Sequence, residues 1–336
     1  GRVEQTGSNF GTNQKHDNPF LCRIGTGTMV SDGLSMINMH MSNSSFSVMQ
    51  TTVGDRSYLG NNIYYPPDGK TGANCLLATK VLVPINGPVR ENVGLLGSPS
   101  FEIPRVVDRD KDIIGALDDG MRRKRLREKN KHNAFTIGLY LVSRLAFICL
   151  STAIVYVTVP NFQQFGVLAL AAASVFVLCA AVGYFAFVER LSLGFRRLQS
   201  QLVTIYDPEF WYHERHWKLS DSPIANWFAG TPFRSIVLRM LGVKVGRRVY
   251  DGGCNITERT LTEIGDEANL NEACVLQAHS LEEGAFKSDL IRIGARCSVG
   301  PSAFVHYGVR MDKESVLDAD SFLMKGETLE PGTGWR

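Results

Sequence analysis

The sequence predicts a mainly β protein, built of coils of short parallel strands and interrupted by two membrane-spanning helices. Three observations predict it: a six-residue repeat of aliphatic residues, the return of that repeat in both halves of the chain, and two long apolar stretches between the halves. From Ile291 to Gly326, aliphatic residues stand at Ile293, Val299, Val305, Met311, Leu317 and Leu323, each six positions after the last. Four residues after most of them comes a small one, Cys297, Ala303, Ser315 or Ser321. A helix would smear this period around its surface, and a plain strand would alternate every second residue. A triangular parallel coil fits it, because each strand plus a tight corner makes one side. The aliphatic residue points inward and the small one fits the corner. We therefore expect a left-handed parallel β-helix of the hexapeptide-repeat type.

The step of six also holds for Ile264, Leu270 and Leu276, and then breaks for 17 residues before Ile293. A loop from His279 to Lys287 occupies the break, the kind of place where solenoids carry binding and catalytic groups. The first 104 residues repeat the theme. Ile24, Val30 and Met36 step by six, the frame breaks for 17 residues, and Val53, Leu59, Tyr65, Thr71, Leu77 and Val83 resume it. A shift of 240 lays Ile24 on Ile264, Val53 on Ile293 and Val83 on Leu323, and brings His40 within one position of His279. Two copies of one β-helical domain are thus expected, 1–104 and 233–336. Copy one continues Gly97-Ser98-Pro99-Ser100 where copy two stops, and the chain has no initiator Met, signal peptide or lipidation motif. A chain truncated at both ends is the expectation.

Between the copies, 105–133 reads as a charged linker, with seven basic residues and one acidic residue from Arg122 to Lys131. Residues 134–159 are then apolar except for Arg144, and 165–188 carry no charge. Each exceeds the roughly 20 residues needed to cross the hydrocarbon, so both read as transmembrane helices, with a turn at 160–164. Basic residues flank both outer ends, the run from Arg122 and then Arg190, Arg196 and Arg197. The positive-inside bias makes this a hairpin in a multi-pass membrane protein, with both soluble domains on the cytoplasmic side. Arg144 costs about 2.5–3.5 kcal/mol in mid-membrane, which snorkelling or a helix-bundle partner would relieve. The stretch 189–232 is a juxtamembrane segment, rich in aromatics from Tyr206 to Leu219 and expected to lie with its rings at headgroup level.

Formal net charge is +3, too slight to imply a nucleic-acid partner. The seven cysteines form no CxxC pair and read as reduced, structural thiols. His213-Glu214-Arg215-His216 lacks one residue of the HExxH spacing, so no metal site is expected.

Gly97 to Arg105, Tyr206 to Leu219, Gly230-Thr231-Pro232-Phe233 and Gln277 to Glu282 resemble the C-terminal region of the single-module non-ribosomal peptide synthetases typified by ε-poly-L-lysine synthetase. That region is similar to hexapeptide acyltransferases and alternates membrane helices with soluble domains. The resemblance implies amide-bond formation between an aminoacyl thioester and an amine. It also implies upstream adenylation and carrier domains of the same polypeptide as partners, with a phosphopantetheine thioester as donor. No cofactor is expected on this chain itself. The HHxxxDG condensation motif is absent. Two alternatives stay open: a membrane-bound acyltransferase using acetyl-CoA or another coenzyme A thioester, and a non-catalytic scaffold holding partner domains at the membrane.

Amide formation needs a base to deprotonate the amine and donors for the oxyanion. His279, where the coil breaks, is the first candidate base, with His40 as its near-equivalent; a loop His that only orders the turn is the competing reading. His306 is an accessory candidate for specificity or packing. Lys287 could help hold an anionic donor arm, although a solvated lysine is the favoured reading. His16-Asp17-Asn18 has acid–base character in copy one, yet copy two reads Ile256-Thr257-Glu258, so a domain-specific role or simple capping fits equally well. The copies are expected to pack against each other or against further copies.

Overall fold

Six residues per side make a coil only if the chain can turn sharply at each corner and stack closely on the coil below. The structure, a computed structural model, describes residues 15–105, 118–220, 223–282 and 284–336. They fall into two compact units, one of residues up to Asp118 together with Glu282–Ala285, and the other comprising Asp119–Leu281 and Phe286–Arg336. The expected linker residues 106–117 lie outside the described residues.

In the second unit, consecutive short strands join three parallel sheets in rotation. Thr262–Ile264, Ile291–Ile293 and Arg310–Met311 belong to one sheet, Asn269–Leu270 and Ser298–Val299 to the next, and Val275–Gln277 and Phe304–His306 to the third. Ile293 pairs with Met311 and Val299 with Leu317, so one turn takes 18 residues, or three sides of six. Leu270, Leu276, Val299, Val305, Leu317 and Leu323 fill the coil and are fully buried. Each contributes about 1.5–3 kcal/mol of burial. Left-handed backbone recurs every six residues, at Arg296, Ser302, Gly308, Glu314, Asp320, Gly326 and Gly332. Glycine is indispensable where corners stack: a Cβ on Gly265 would lie 2.6 Å from the amide nitrogen of Ala295 in the next turn.

The first unit follows the same plan, with Val53 on Thr71 and Leu59 on Leu77. Its core holds Val30, Met36, Leu59, Tyr65 and Leu77, with the Tyr65 hydroxyl bonded to Thr71 Oγ1 at 2.7 Å. One turn in each unit is longer. Ile24 pairs with Val53 and Ile264 with Ile293, a step of 29 instead of 18, so 11 extra residues leave the coil. In the first unit they form an antiparallel hairpin, β1 (Met39–Met41) and β2 (Phe46–Val48).

The second unit opens with α1 (Asp119–Phe165) and α2 (Val167–Ser192). α1 begins inside the stretch that reads as a linker and runs through Pro160, so residues 160–164 are helical instead of a turn. The reversal is made at Gly166, whose φ of 53° is one that glycine adopts without penalty. Both helices are long and apolar enough to cross a membrane. They fold back on each other, with the Tyr184 hydroxyl donating to the Ser143 carbonyl at 2.6 Å and Phe147 packed on Phe185. Arg144 lies over the rings of Tyr140 and Phe185.

Next come strand β3 (Gln201–Thr204) and helix α3 (Pro208–Ser220). α3 corrects the expectation of rings at headgroup level. Phe210, Trp211, His213, His216 and Leu219 are buried, while Tyr212 remains 60% exposed. Helical spacing gathers Phe210, His213 and Trp217 on one face, which closes over a second hairpin, β4 (His279–Glu282) and β5 (Ala285–Ser288). That hairpin is the excursion of the longer turn, and β3 adds to it in the order β3–β5–β4. Helix α4 (Phe233–Leu241) puts Leu238 into the start of the coil core. Its Arg234 is buried against Asp251 at 3.0 Å and donates to the Cys254 carbonyl at 2.7 Å, which satisfies the buried charge.

Candidate functional site

Glu258 is the residue around which the site forms. It precedes the short 3-10 turn Arg259–Leu261, and its carbonyl accepts from the Leu261 amide at 2.9 Å and the Thr262 hydroxyl at 3.1 Å. The backbone is thereby fixed and the side chain enters a fully buried space under α3. Oε2 accepts from the Thr257 hydroxyl at 2.5 Å. Oε1 accepts from Trp217 Nε1 at 2.7 Å and from His213 Nε2 at 3.4 Å.

His279 Nδ1 approaches the same Oε1 to 2.7 Å. The approach lies off the line of a ring N–H, so it acts through charge more than as a linear hydrogen bond. The imidazole is held against Trp217, ring centroids 4.6 Å apart, and lies 5.9 Å from Phe286. Its side chain keeps 17% exposure, whereas Glu258 and His213 have none.

Burial by itself would raise the Glu258 pKa, but the rings of His279 and His213 outweigh it and hold the carboxyl well below the usual range. Burial pushes His213 down, with Glu258 partly opposing. The site therefore holds a buried carboxylate and a neutral His213 near neutral pH. A partly open imidazole with one nitrogen against a carboxylate is suited to taking a proton at its other nitrogen, Nε2.

His306 lies on the adjacent turn, where the register pairs it with Gln277. Burial, with Lys325 and His279 adding to it, pushes His306 down to about 3, so it is a neutral donor or acceptor and not a base. Gln277 Nε2 donates to the His279 carbonyl at 3.1 Å and helps fix the start of β4. Lys287 is buried on β5, 5% exposed, which removes the solvated-lysine reading.

The first unit arranges its candidates differently. Met49 donates to the Asn38 carbonyl as Asp289 does to that of Ala278, so the two hairpins register with a shift of 240. That register sets Met39 at the place of His279, and His40 at the place of Ser280, on the opposite face of the strand. His40 is exposed and opposite Ser47. Asn18, which precedes the 3-10 turn Pro19–Leu21, takes the place of Glu258. Asp17 Oδ2 accepts from the Asn38 and Met39 amides at 2.9 and 3.3 Å, a turn-fixing role, and His16 is exposed. Sequence reasoning missed Glu258, Trp217 and His213 as a group. The aromatic density of α3 was visible, but nothing in the six-residue frame tied it to a carboxylate 41 residues from Trp217.

No protein-family model matches the chain. It is 24% identical over 324 residues to the Delta-poly-L-ornithine synthetase of Acinetobacter baumannii (strain AB307-0294), which covers 94% of this chain and 24% of that protein. The chain thus spans about a quarter of this relative's length. Among solved structures, a maltose O-acetyltransferase from Clostridium difficile 630 is 14% identical, covering 44% of this chain and 90% of that one at a TM-score of 0.29. The native serine acetyltransferase 1 from Entamoeba histolytica is 8% identical, covering 55% and 74% at a TM-score of 0.21.

Proposed function

We propose that this chain is the membrane-bound, acyltransferase-like part of a peptide synthetase. Two left-handed β-helix domains, 1–104 and 233–336, flank a transmembrane hairpin and stand on its cytoplasmic side. The reaction is amide-bond formation from an aminoacyl thioester, and the donor is carried on the phosphopantetheine arm of a carrier domain of the same polypeptide. The likeness to an ornithine-polymerising synthetase supports an amino-acid substrate. The observation that carries the reading is the buried Glu258 carboxylate 2.7 Å from His279, on the hairpin that interrupts the coil.

In this reading His279 Nε2 takes a proton from the acceptor amine as its nitrogen attacks the thioester carbonyl carbon. The charge of Glu258 stabilises the imidazolium. When the tetrahedral intermediate collapses, the C–S bond breaks and the leaving thiolate takes that proton back from Nε2. Amine and thioester become amide and thiol. Trp217 and Phe286 keep the ring from rotating away. Since the first unit has Asn18 and Met39 at the corresponding places, the chemistry belongs to the second.

Loss of a general base costs on the order of 10²–10⁴ in rate. His279→Ala in the complete enzyme is expected to slow amide formation by that factor, with amino-acid adenylation and carrier loading unchanged. Product formation at the parental rate would exclude His279 as the base.

A further inference from the structure

The two hairpins are equivalent in position and opposite in exposure. In the second unit β5 has strand β3 along one edge, and Phe286 is fully buried beneath Phe210, His213 and Trp217 at ring distances of 5.1, 4.7 and 5.6 Å. In the first unit, β2 pairs only with β1 among the described residues. Phe46, the counterpart of Phe286, is 71% exposed, and Met41, Val48 and Met39 are 72%, 47% and 40% exposed. A free strand edge beside a cluster of large apolar side chains is a surface that soluble protein seldom leaves to water.

We infer that the β1–β2 hairpin docks a strand followed by an aromatic helix, of the same kind as β3–α3, carried by the same polypeptide on the N-terminal side of Lys15. The occupant follows from the second unit, where the structure shows what covers this surface: strand addition along β5 and an aromatic helix face on Phe286. Its source follows from chain order. Gln201–Ser220 precedes the coil that it covers, and the shift of 240 relating the hairpins sets its counterpart ahead of the first coil. The matched relative is about four times the length of the region it shares with this chain, so such a segment fits the known length of a related polypeptide. A second copy of this chain is a poorer occupant, since its own β3 and α3 are already engaged. The inference does not depend on the catalytic proposal.

The test uses the native polypeptide, expressed from its own gene in its own membranes, with the photo-crosslinking residue p-benzoylphenylalanine in place of Phe46. The expected result is an intramolecular crosslink to a strand–helix segment N-terminal to Lys15, mapped by mass spectrometry. Attachment to lipid, to a second copy or to another protein, or no attachment, overturns the inference. In parallel, Phe46→Asp is expected to cost the first unit its resistance to proteolysis. An open face would tolerate the charge, so unchanged resistance also counts against the docked segment.

Discussion

Replacing Glu258 with Gln keeps the shape of the side chain and removes its charge. At the 2.7 Å separation from His279 Nδ1, Coulomb's law gives roughly 6 kcal/mol between carboxylate and imidazolium at an effective dielectric of about 20, and roughly 1.5 kcal/mol at that of water. Each 1.4 kcal/mol or so is a factor of about ten in rate, so the loss is bracketed between about tenfold and about 10⁴-fold. Burial of the carboxylate places it toward the upper part of that range. A second effect runs alongside: a Gln amide turned toward Trp217 Nε1 opposes one donor with another and costs about 1–3 kcal/mol of stability. The assay is single-turnover amide formation from pre-loaded donor, with adenylation as the internal control and circular dichroism as the check on folding. A folded Glu258→Gln enzyme that forms amide within twofold of the parental rate would refute the assigned role of the carboxylate.

Two further outcomes follow from the same geometry. Gly265→Ala drives a Cβ to 2.6 Å from the next turn, whereas a Cβ on Gly334 meets nothing within 4 Å. The first variant is expected to lose about 1–3 kcal/mol in denaturant unfolding and the second to stay near parental; equal stabilities would contradict the stacked-corner reading. His216 and His306 are held neutral, at about 3, chiefly by burial. Their folded pKa lies below the usual 6.5, so the unfolded chain binds protons first and stability falls as pH drops from about 6.5 toward about 3. Between pH 6.5 and 5 each contributes a loss of about 2 kcal/mol, with His213 acting in the same direction. Glu258, with its pKa depressed, contributes stability that is present above about 4.5 and lost only below that. Loss of stability should therefore begin above pH 5 in equilibrium unfolding, and a flat profile from pH 7 to 5 would show that these histidines are not buried and neutral.

The coil was legible in the sequence because its physics is local. A side of six residues sets an inward aliphatic residue at Ile293, Val299 and Val305, and the corner requirement recurs at the same spacing, so the pattern writes itself along the chain. The 17-residue break located the hairpin for the same reason. The helix boundaries were less legible. Apolar composition marks where lipid can be met but not where hydrogen bonding continues, and α1 extends into the basic run and through Pro160. Of the candidate site, the sequence pointed only to His279. Thr257 and Glu258 lie together before a 3-10 turn, and His213 and Trp217 lie on α3; the meeting of these two segments depends on how α3 packs, and no spacing encodes that. The equivalence of His40 and His279 failed by a single residue, and in a strand one residue is the difference between one face and the other.

The position of α3 ties the candidate site to the two long helices. Its buried face holds Trp217 and His213 on Glu258, while other side chains fasten it to the two long helices. Glu214 is 3.5 Å from Lys129, Arg215 donates to the Thr136 hydroxyl at 3.1 Å, and His216 meets the Ser192 hydroxyl at 2.8 Å. Lys129 and Thr136 are on α1, and Ser192 ends α2. A shift of the helix pair that carried α3 with it would move the Trp217 donor and the wall of the His279 pocket together, because both belong to one rigid turn. Tolerances for positioning a proton-transfer group are about half an ångström, so the packing of α3 on α1 and α2 bears directly on the geometry of the site. A freely hinged domain would have no need of the half-buried Glu214 and the buried His216 contacts. Their presence argues that α3 and the second coil work as one body with the two long helices.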